Sequence, residues 1–202
     1  MFATFSGLIL LGIFIGWNYI LHLNSQQNNS NQVIMNEREH IPEKSGLTPI
    51  RLAYYDFESG DIANPDLHLS ASGHQSNQSM KLDLRVPFSP GLWIQFKDLT
   101  HSDSSWIRAS GYIWFSCPVS EVKCSLVATC NHKGINYKYM FIPLEKEDVK
   151  PNQWNKINID YHIPPAPDKE DVLQAYFWYR GKGEILVDEI EVTFFRKSEI
   201  VK

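Results

Sequence analysis

The 202-residue sequence predicts an all-β domain, an antiparallel β-sandwich, preceded by one N-terminal transmembrane helix and a flexible stalk. The first observation is an uncharged apolar run at the N-terminus, and the second is a polar, low-complexity stretch directly after it. The third is a change of pattern from Ile50 onward, where short alternating runs are separated by turn residues. We therefore divide the chain into a transmembrane signal anchor (1–23), a stalk (24–49) and a β-sandwich domain (50–197).

The apolar run extends from Phe2 to Leu21 and contains no Asp, Glu, Lys or Arg. As a helix rising about 1.5 Å per residue, it would span the ~30 Å hydrocarbon core of a bilayer. Trp17 and Tyr19 stand near its end, where aromatic side chains favour the membrane interface. A cleaved signal would normally carry a positive n-region and a small-x-small cleavage site, and neither is found. The run therefore predicts a retained single-pass anchor, with the following domain outside the cytoplasm.

The stretch from Asn24 to Gln32 consists entirely of Asn, Gln and Ser. It has too few apolar residues to offset the entropy cost of ordering a chain. This composition predicts a flexible stalk as far as about Pro49.

Charge and cysteine content narrow the possible partners and chemistry. The net charge is -4 and no basic cluster occurs, so we expect no nucleic-acid partner. The three cysteines, Cys117, Cys124 and Cys130, form no C-x-x-C pair. Two interpretations stay open: one disulfide with one free thiol, or three buried, reduced cysteines.

Nine segments after residue 50 have the composition of strands and are separated by turn residues such as NP, SPG, NHKG and RGKG. They are Arg51–Phe57, Ser79–Val86, Leu92–Lys97, Trp106–Ser116, Val122–Thr129, Asn136–Ile142, Asn155–Tyr161, Leu173–Tyr179 and Glu184–Phe195. Alternation predicts these core residues: Met80, Leu82, Leu84, Leu92, Ile94, Phe96, Ile107, Ile113, Phe115, Cys124, Leu126, Ala128, Ile157, Ile159, Tyr161, Ala175, Phe177, Leu186, Ile190 and Val192.

The strand around Trp106–Ser116 has two different faces. Its odd positions, from Ile107 to Phe115, are small or apolar and suit a core. Its even positions carry large aromatics and hydrogen-bonding groups, which suits a surface that binds something flat, such as a sugar ring.

Four segments carry a resemblance to a known family: YYDFESG (54–60), SGHQSNQSMKLDL (72–84), PNQWNKINIDYHIP (151–164) and GEILVDEIEV (183–192). In this order they resemble the galactose-binding-domain-like jelly rolls, and especially the sandwich-type carbohydrate-binding modules of bacterial polysaccharide-degrading systems. The resemblance covers roughly Leu52 to Phe195 and implies a jelly-roll topology. That superfamily hosts many functions, so the fold alone does not identify one.

The resemblance implies a structural Ca²⁺ near the first and last strands, with Glu58 and Asp188 as the matching acids. Calcium takes about six to eight oxygen ligands, so two carboxylates do not hold it alone. The alternative is that both acids are hydrogen-bonded structural residues.

The resemblance also implies a sugar-binding face of aromatics on one sheet. Alternation along this strand places Tyr176, Trp178 and Arg180 on one face and the core residues Ala175 and Phe177 on the other. The predicted ligand-binding set, expected on one surface, is Trp106, Arg108, Tyr112, Trp114, Tyr176, Trp178 and Arg180. The alternative is that these aromatics lie under loops or terminal segments, and a one-residue register slip would exchange the two faces.

The sequence is compatible with three alternative functions. None of them rests on a catalytic motif, because G-x-S-x-G, H-E-x-x-H and the P-loop pattern are all missing. The first is a membrane-anchored, non-catalytic binding module for a glycan or glycoconjugate. The second is an accessory domain that docks on another membrane or envelope protein. The third is a jelly-roll hydrolase or lyase that uses Arg108, Tyr112 and Tyr176.

Overall fold

The computed structural model describes residues 38–42, 46–58, 68–99 and 105–197. The predicted anchor and the stalk as far as residue 37 lie outside these ranges. Within them, no helix is long and apolar enough to cross a bilayer.

The described residues form ten strands joined by turns and short 3₁₀ segments. The strands are β1 (Leu47–Tyr55), β2 (Leu69–Ser70), β3 (Ser79–Leu82), β4 (Leu92–Gln95), β5 (Trp106–Trp114), β6 (Cys124–His132), β7 (Ile135–Pro143), β8 (Asn155–His162), β9 (Val172–Tyr179) and β10 (Ile185–Lys197). Nine correspond to predicted segments with shifted ends. The tenth, β2, has two residues, too few to show an alternating pattern.

All the strand pairings are antiparallel and give two sheets. The first sheet has the order β2-β3-β10-β5-β8, with β1 also paired to β10. The second sheet has the order β4-β9-β6-β7. The prediction of an all-β, antiparallel two-sheet architecture is confirmed for the described part of the chain.

One hydrophobic core draws on residues of both sheets. Ile107, Ile113 and Phe115 at the odd positions of the β5 segment are fully buried, as predicted. Leu126 of β6 and Phe177 of β9 contribute from the second sheet. Each large apolar side chain buried here stabilises the fold by about 1.5–3 kcal/mol, so the alternation seen in the sequence is what selects this arrangement.

Gly111 of β5 occupies a core position where a larger residue would not fit. A Cβ atom at this position would come within 2.8 Å of Phe177 Cε2, from the opposite sheet. The glycine therefore lets the Phe177 ring approach the β5 backbone directly.

A β-bulge in β10 changes which residues face the core. The register with β5 shifts between Asp188 and Glu191, and Glu189 has a φ of 46°. Ile185 and Val187 belong to the core before the bulge, and Ile190 follows after it. The prediction for Leu186 is therefore wrong: it is buried but pairs with Trp114 on the outward side, away from the core cluster.

Leu84 is the second incorrect core prediction, because its side chain is 64% exposed. Strand β3 ends at Leu82, and Asp83 then forms a turn whose carboxylate accepts the backbone N–H groups of Arg85 and Val86. Ile94 is half-buried and packs against the core cluster. The other predicted core residues are buried.

Residues 38–42, which we name the N-terminal strap, belong to the domain although the sequence predicts a stalk here. Arg38 forms an ion pair with Glu147. Glu39 binds Lys138 Nζ at 2.8 Å and accepts the backbone N–H of His162 at 2.6 Å. Strand β1 then begins at Leu47, before the predicted boundary at residue 50. The prediction of a flexible stalk up to Pro49 is wrong for these described residues because they make specific polar contacts.

All three cysteines are free thiols. Cys124 and Cys130 are buried in the core, and Cys117 is half-buried. Burial raises the pKa of the Cys130 thiol to about 11 and that of Cys124 still further, so both stay protonated at neutral pH. This arrangement matches the interpretation of reduced cysteines that act as small hydrophobic residues.

Candidate functional site

The seven predicted ligand-binding residues lie on two different sheets. Trp106, Arg108, Tyr112 and Trp114 are on β5 of the first sheet, whereas Tyr176 and Trp178 are on β9 of the second and Arg180 follows it. On each strand these side chains alternate with buried core residues, as parity predicted. Because the two sheets enclose one core, their outward faces are on opposite sides of the sandwich. The expectation of one shared surface is therefore wrong.

Ion pairs organise the outward side of the first sheet, which we name the ion-paired face and define by Arg51, Arg108, Asp160 and Glu191. Arg108 donates two hydrogen bonds to Asp160, Nε to Oδ1 at 2.6 Å and Nη2 to Oδ2 at 2.8 Å. Arg51 Nε donates to Glu191 Oε1 at 3.1 Å. Both guanidinium groups are therefore already matched by carboxylates.

The Asp160 carboxylate is the most buried charge of this face, since its side chain is 3% exposed. Burial raises its pKa, but hydrogen bonds from Arg108 and from the backbone N–H of Ile41 outweigh burial, so the net shift is downward. Asp160 therefore stays ionised and holds β5 and the N-terminal strap together.

The predicted aromatics of the first sheet pack against neighbouring side chains. The His74 ring stacks on Tyr112, with 3.6 Å between the ring centroids and 14° between the planes. The Trp106 ring lies 4.8 Å from that of His162. One side of Tyr112 is thus covered by His74, which leaves less open ring surface for a ligand.

The residues named for a hydrolase or lyase do not converge. Arg108 and Tyr112 belong to the first sheet and Tyr176 to the second, so the core separates them. The structure contradicts this constellation as a single catalytic site.

Glu58 and Asp188 hold one loop, His74–Gln78, from two directions. Glu58 Oε1 accepts the backbone N–H groups of Asn77 at 2.8 Å and Gln78 at 2.6 Å. Asp188 Oδ2 accepts the His74 N–H at 2.7 Å and the Ser76 hydroxyl at 2.8 Å. These hydrogen bonds fit the alternative of structural acids.

The described residues do not complete a calcium site around these two acids. Among them, no group of three or more His, Cys, Asp or Glu side chains is placed to hold a metal ion. Since the Glu58 and Asp188 oxygens face N–H and O–H donors, this set does not fit a Ca²⁺ ion that takes six to eight oxygens. The calcium ion stays a prediction of the sequence resemblance.

The outward side of the second sheet carries a group of rings, which we name the aromatic face: Phe88, Trp93, Tyr139, Phe141, Tyr176 and Trp178. Strand register places them together. Val127 of β6 pairs with Tyr176 on one side and Phe141 on the other. Ser125 pairs with Trp178, and Thr129 pairs with Tyr139. Residues directly opposite each other in an antiparallel pair point to the same face, so the rings of β9 and β7 flank β6 on both sides.

Small side chains form the floor between these two rows of rings. Ser125, Val127 and Thr129 point away from the core, yet each is at most 1% exposed. The flanking rings are half-buried. The face therefore has a central strip of two hydroxyl side chains and one aliphatic side chain, bordered by aromatic rows.

Local contacts hold the rings in place. Phe88 stacks on Trp178, with 6.1 Å between centroids and 18° between planes, and meets Tyr176 edge-on at 5.7 Å. On β7, the Tyr139 and Phe141 rings are neighbours, with 5.8 Å between their centroids. The Ser89 hydroxyl accepts the Phe177 N–H, which fixes the segment carrying Phe88 against β9. Rings held this way lose little entropy when a ligand packs on them.

Three polar or exposed groups complete the aromatic face. Trp93 on β4 is 62% exposed, the highest exposure among its rings. Burial raises the pKa of Tyr139 to about 12, so its hydroxyl stays neutral and can donate a hydrogen bond. Arg180 Nη2 donates to the Ser125 hydroxyl at 3.0 Å.

The predicted ligand-binding set does not include Phe88, Trp93, Tyr139 or Phe141. Tyr139 and Phe141 alternate with the buried Met140 and Ile142, so the signal is present in the pattern of β7. Phe88 lies outside the strands, where no periodicity identifies it.

No protein-family model matches the chain, and no curated protein matches its sequence. Solved structures do resemble it. The second family 22 xylan-binding domain of Xyn10C from Paenibacillus barcinonensis shares 18% identity over 70% of this chain and 98% of that one, with a TM-score of 0.44.

Two further structures cover most of both chains. The C-terminal family 22 carbohydrate-binding module of Clostridium thermocellum Xyn10B shares 13% identity over 80% of this chain and 99% of that one, with a TM-score of 0.45. A cyclase from Fischerella sp. TAU shares 8% identity over 73% and 98% of the two chains, with a TM-score of 0.43. The solved structures that resemble the chain thus include two carbohydrate-binding modules and a cyclase.

Proposed function

We propose that the domain is a non-catalytic glycan-binding module and that the aromatic face is its binding site. The observation that supports this proposal is the arrangement of rings on three neighbouring strands and the adjoining segment around a small, hydroxyl-bearing floor. Protein sites that bind small ligands combine apolar and aromatic walls with a few polar groups that fix orientation. The aromatic face has this composition.

The chemistry of a sugar matches these groups. The C–H faces of a pyranose ring are apolar and pack on aromatic rings, and its equatorial hydroxyls need hydrogen-bond partners at the edge. Trp93 and Tyr176 offer ring surface, while Gln174 and the Tyr139 hydroxyl offer donors on the same face. The ion-paired face lacks this combination, since its charged groups already bind each other.

Glycan-array binding of the full chain in detergent tests the proposal, with a panel that includes xylan, glucan, galactan and uronate-containing oligosaccharides. Trp178→Ala and Tyr176→Ala should each weaken binding by tenfold or more while the protein stays folded. Trp114→Ala, on the opposite sheet, is the matched control and should bind normally.

Two results would contradict the proposal. Binding that disappears with Trp114→Ala but survives Trp178→Ala would move the site to the first sheet. A folded protein that binds no glycan would instead favour the alternative, an accessory domain that docks on another membrane or envelope protein through the same rings.

We further propose that residues 1–23 keep the protein in a membrane as a single-pass anchor, with the glycan-binding domain outside the cytoplasm. The support is the uncharged apolar run in the sequence. The full chain should stay in the membrane fraction after alkaline carbonate extraction, and a chain starting at residue 24 should not. Protection of the domain from protease added outside intact cells would contradict the proposed orientation.

A further inference from the structure

We propose that Arg180 makes the aromatic face selective for glycans that carry a uronate carboxylate. This inference rests on the proposed function, because it concerns the ligand of the same site.

Two contacts fix the Arg180 side chain on the second sheet. Its Cζ atom lies 4.1 Å from the centroid of the Trp178 ring. Its Nη2 donates to the Ser125 hydroxyl at 3.0 Å, and Ser125 is fully buried. Its backbone N–H is also held, by the carbonyl of Lys123 at 2.7 Å. A guanidinium held in this way loses less side-chain entropy when it binds a second group.

The side-chain contacts of Arg180 on this face are with neutral groups. The other outward side chains of β4, β9, β6 and β7 considered above are neutral: Trp93, Gln174, Tyr176, Trp178, Ser125, Val127, Thr129, Tyr139 and Phe141. Arg38, Arg51 and Arg108 each form an ion pair with a carboxylate. Within the described part of the chain, Arg180 forms none, and its side chain remains exposed.

A sugar ring that carries a carboxylate would match both the guanidinium of Arg180 and the aromatic rings beside it. The planar guanidinium presents parallel N–H donors that match the two oxygens of a carboxylate, and such charge-assisted pairs are about twice as strong as neutral hydrogen bonds. The pyranose ring that carries the carboxylate can pack on the rings beside Arg180. A neutral sugar would use the ring surface but would give the charge of Arg180 no counterpart.

Matched glycan pairs test this inference on the full chain in detergent. Each uronate-containing oligosaccharide, from polygalacturonate, alginate and hyaluronan, is compared with its carboxyl-reduced counterpart, in which each uronate has become a neutral hexose. A sulfated galactan oligosaccharide forms a third arm. Affinities are measured by calorimetry for the wild type, Arg180→Gln and Arg180→Lys, with Arg51→Gln on the opposite sheet as the control.

We expect at least one uronate probe to bind about tenfold to hundredfold more tightly than its reduced counterpart, and this preference should weaken as the salt concentration rises. Arg180→Gln should remove the preference for the uronate probe over its reduced counterpart. Arg180→Lys should keep part of the preference, because the charge remains but the planar fork is lost. Arg51→Gln should bind like the wild type.

The possible failures are distinguishable. Equal binding of the uronate and reduced probes would overturn the role of Arg180 and leave the proposed function intact. Tightest binding of the sulfated probe, lost in Arg180→Gln, would overturn the assignment of a carboxylate. A folded protein that binds none of the probes, neutral or charged, would overturn both proposals.

Discussion

The two outward faces of the sandwich use the same residue types in opposite ways. On the first sheet, Arg108 is matched by Asp160 and the Tyr112 ring is covered by His74. On the second sheet, the guanidinium of Arg180 lies on Trp178 and faces no described carboxylate at ion-pair distance. Aromatic and arginine residues on a strand therefore do not by themselves identify a binding face. What differs between the two faces is whether the charged groups are already paired within the protein.

The largest expected effect tests the structural role of the ion-paired face. Asp160→Ala should lower the free energy of unfolding by about 2 kcal/mol, because Arg108 and the Ile41 N–H lose their acceptor. The loss should stay below the 3–5 kcal/mol typical of a fully buried pair, since water can hydrate the half-exposed Arg108 side chain. Chemical denaturation measures this change, and glycan binding by the folded variant should stay normal.

Measuring stability as a function of pH, for the wild type and for Asp160→Asn, tests whether the negative charge of Asp160 is what stabilises the protein. The folded-state pKa is lowered, so the ionised carboxylate stabilises the protein above the unfolded-state pKa, near pH 4. This stabilisation is lost as the pH falls through the folded-state pKa. The stability difference between wild type and Asp160→Asn should therefore be constant from pH 5 to 7 and shrink below pH 4. A difference that grows in acid would show that the carboxylate is not the stabilising group.

A smaller effect is expected at the exposed end of the aromatic face. Trp93→Ala should weaken glycan binding by up to about tenfold, the value of one aromatic contact of 0.5–1.5 kcal/mol. The free energy of unfolding of this variant should differ from that of the wild type by less than about 0.5 kcal/mol, because Trp93 is 62% exposed. Leu84→Ala, which removes a side chain of similar exposure, is the control. Equal effects of both substitutions on binding would argue against a specific sugar contact at Trp93.

The smallest effect is expected from Tyr139→Phe, which removes one neutral hydroxyl and keeps the ring. One lost hydrogen bond of about 0.5–1 kcal/mol corresponds to a two- to fivefold weaker affinity for the glycan. Because the Tyr139 pKa is about 12, this contribution should be the same at pH 7 and pH 9. Calorimetry at both pH values measures it. A contribution that disappears at pH 9 would mean that another group is responsible.

Inward and outward positions were predictable from the sequence because alternation is a local property of a strand. The buried residues of β5 and β9 follow it closely. It failed at Leu186, where the bulge in β10 moves the chain by one position, and at Leu84, where the strand had already ended. The positive φ of Glu189 gives no signal in the residue type, since glutamate has no preference for that conformation.

The assignment of residues to one site was not predictable in the same way. Alternation indicates that Trp114 and Trp178 both point away from a core, but it does not indicate which sheet each strand joins. That depends on pairing between distant segments, such as β6 with β9. Two of the rings that complete the aromatic face come from β7, and it is the pairing of β6 with the distant β9 that brings them beside Tyr176 and Trp178.

The N-terminal strap has a consequence for how the protein behaves at high concentration. Strand β8 ends the first sheet, and a bare strand edge invites pairing with another molecule. Arg38 donates a hydrogen bond to the Asn158 carbonyl, and Glu39 accepts the His162 N–H, so side chains occupy backbone groups of that edge. A charged segment of the same chain thus takes the place that a neighbouring strand would fill. It should protect the domain against aggregation through β8 when many copies crowd together.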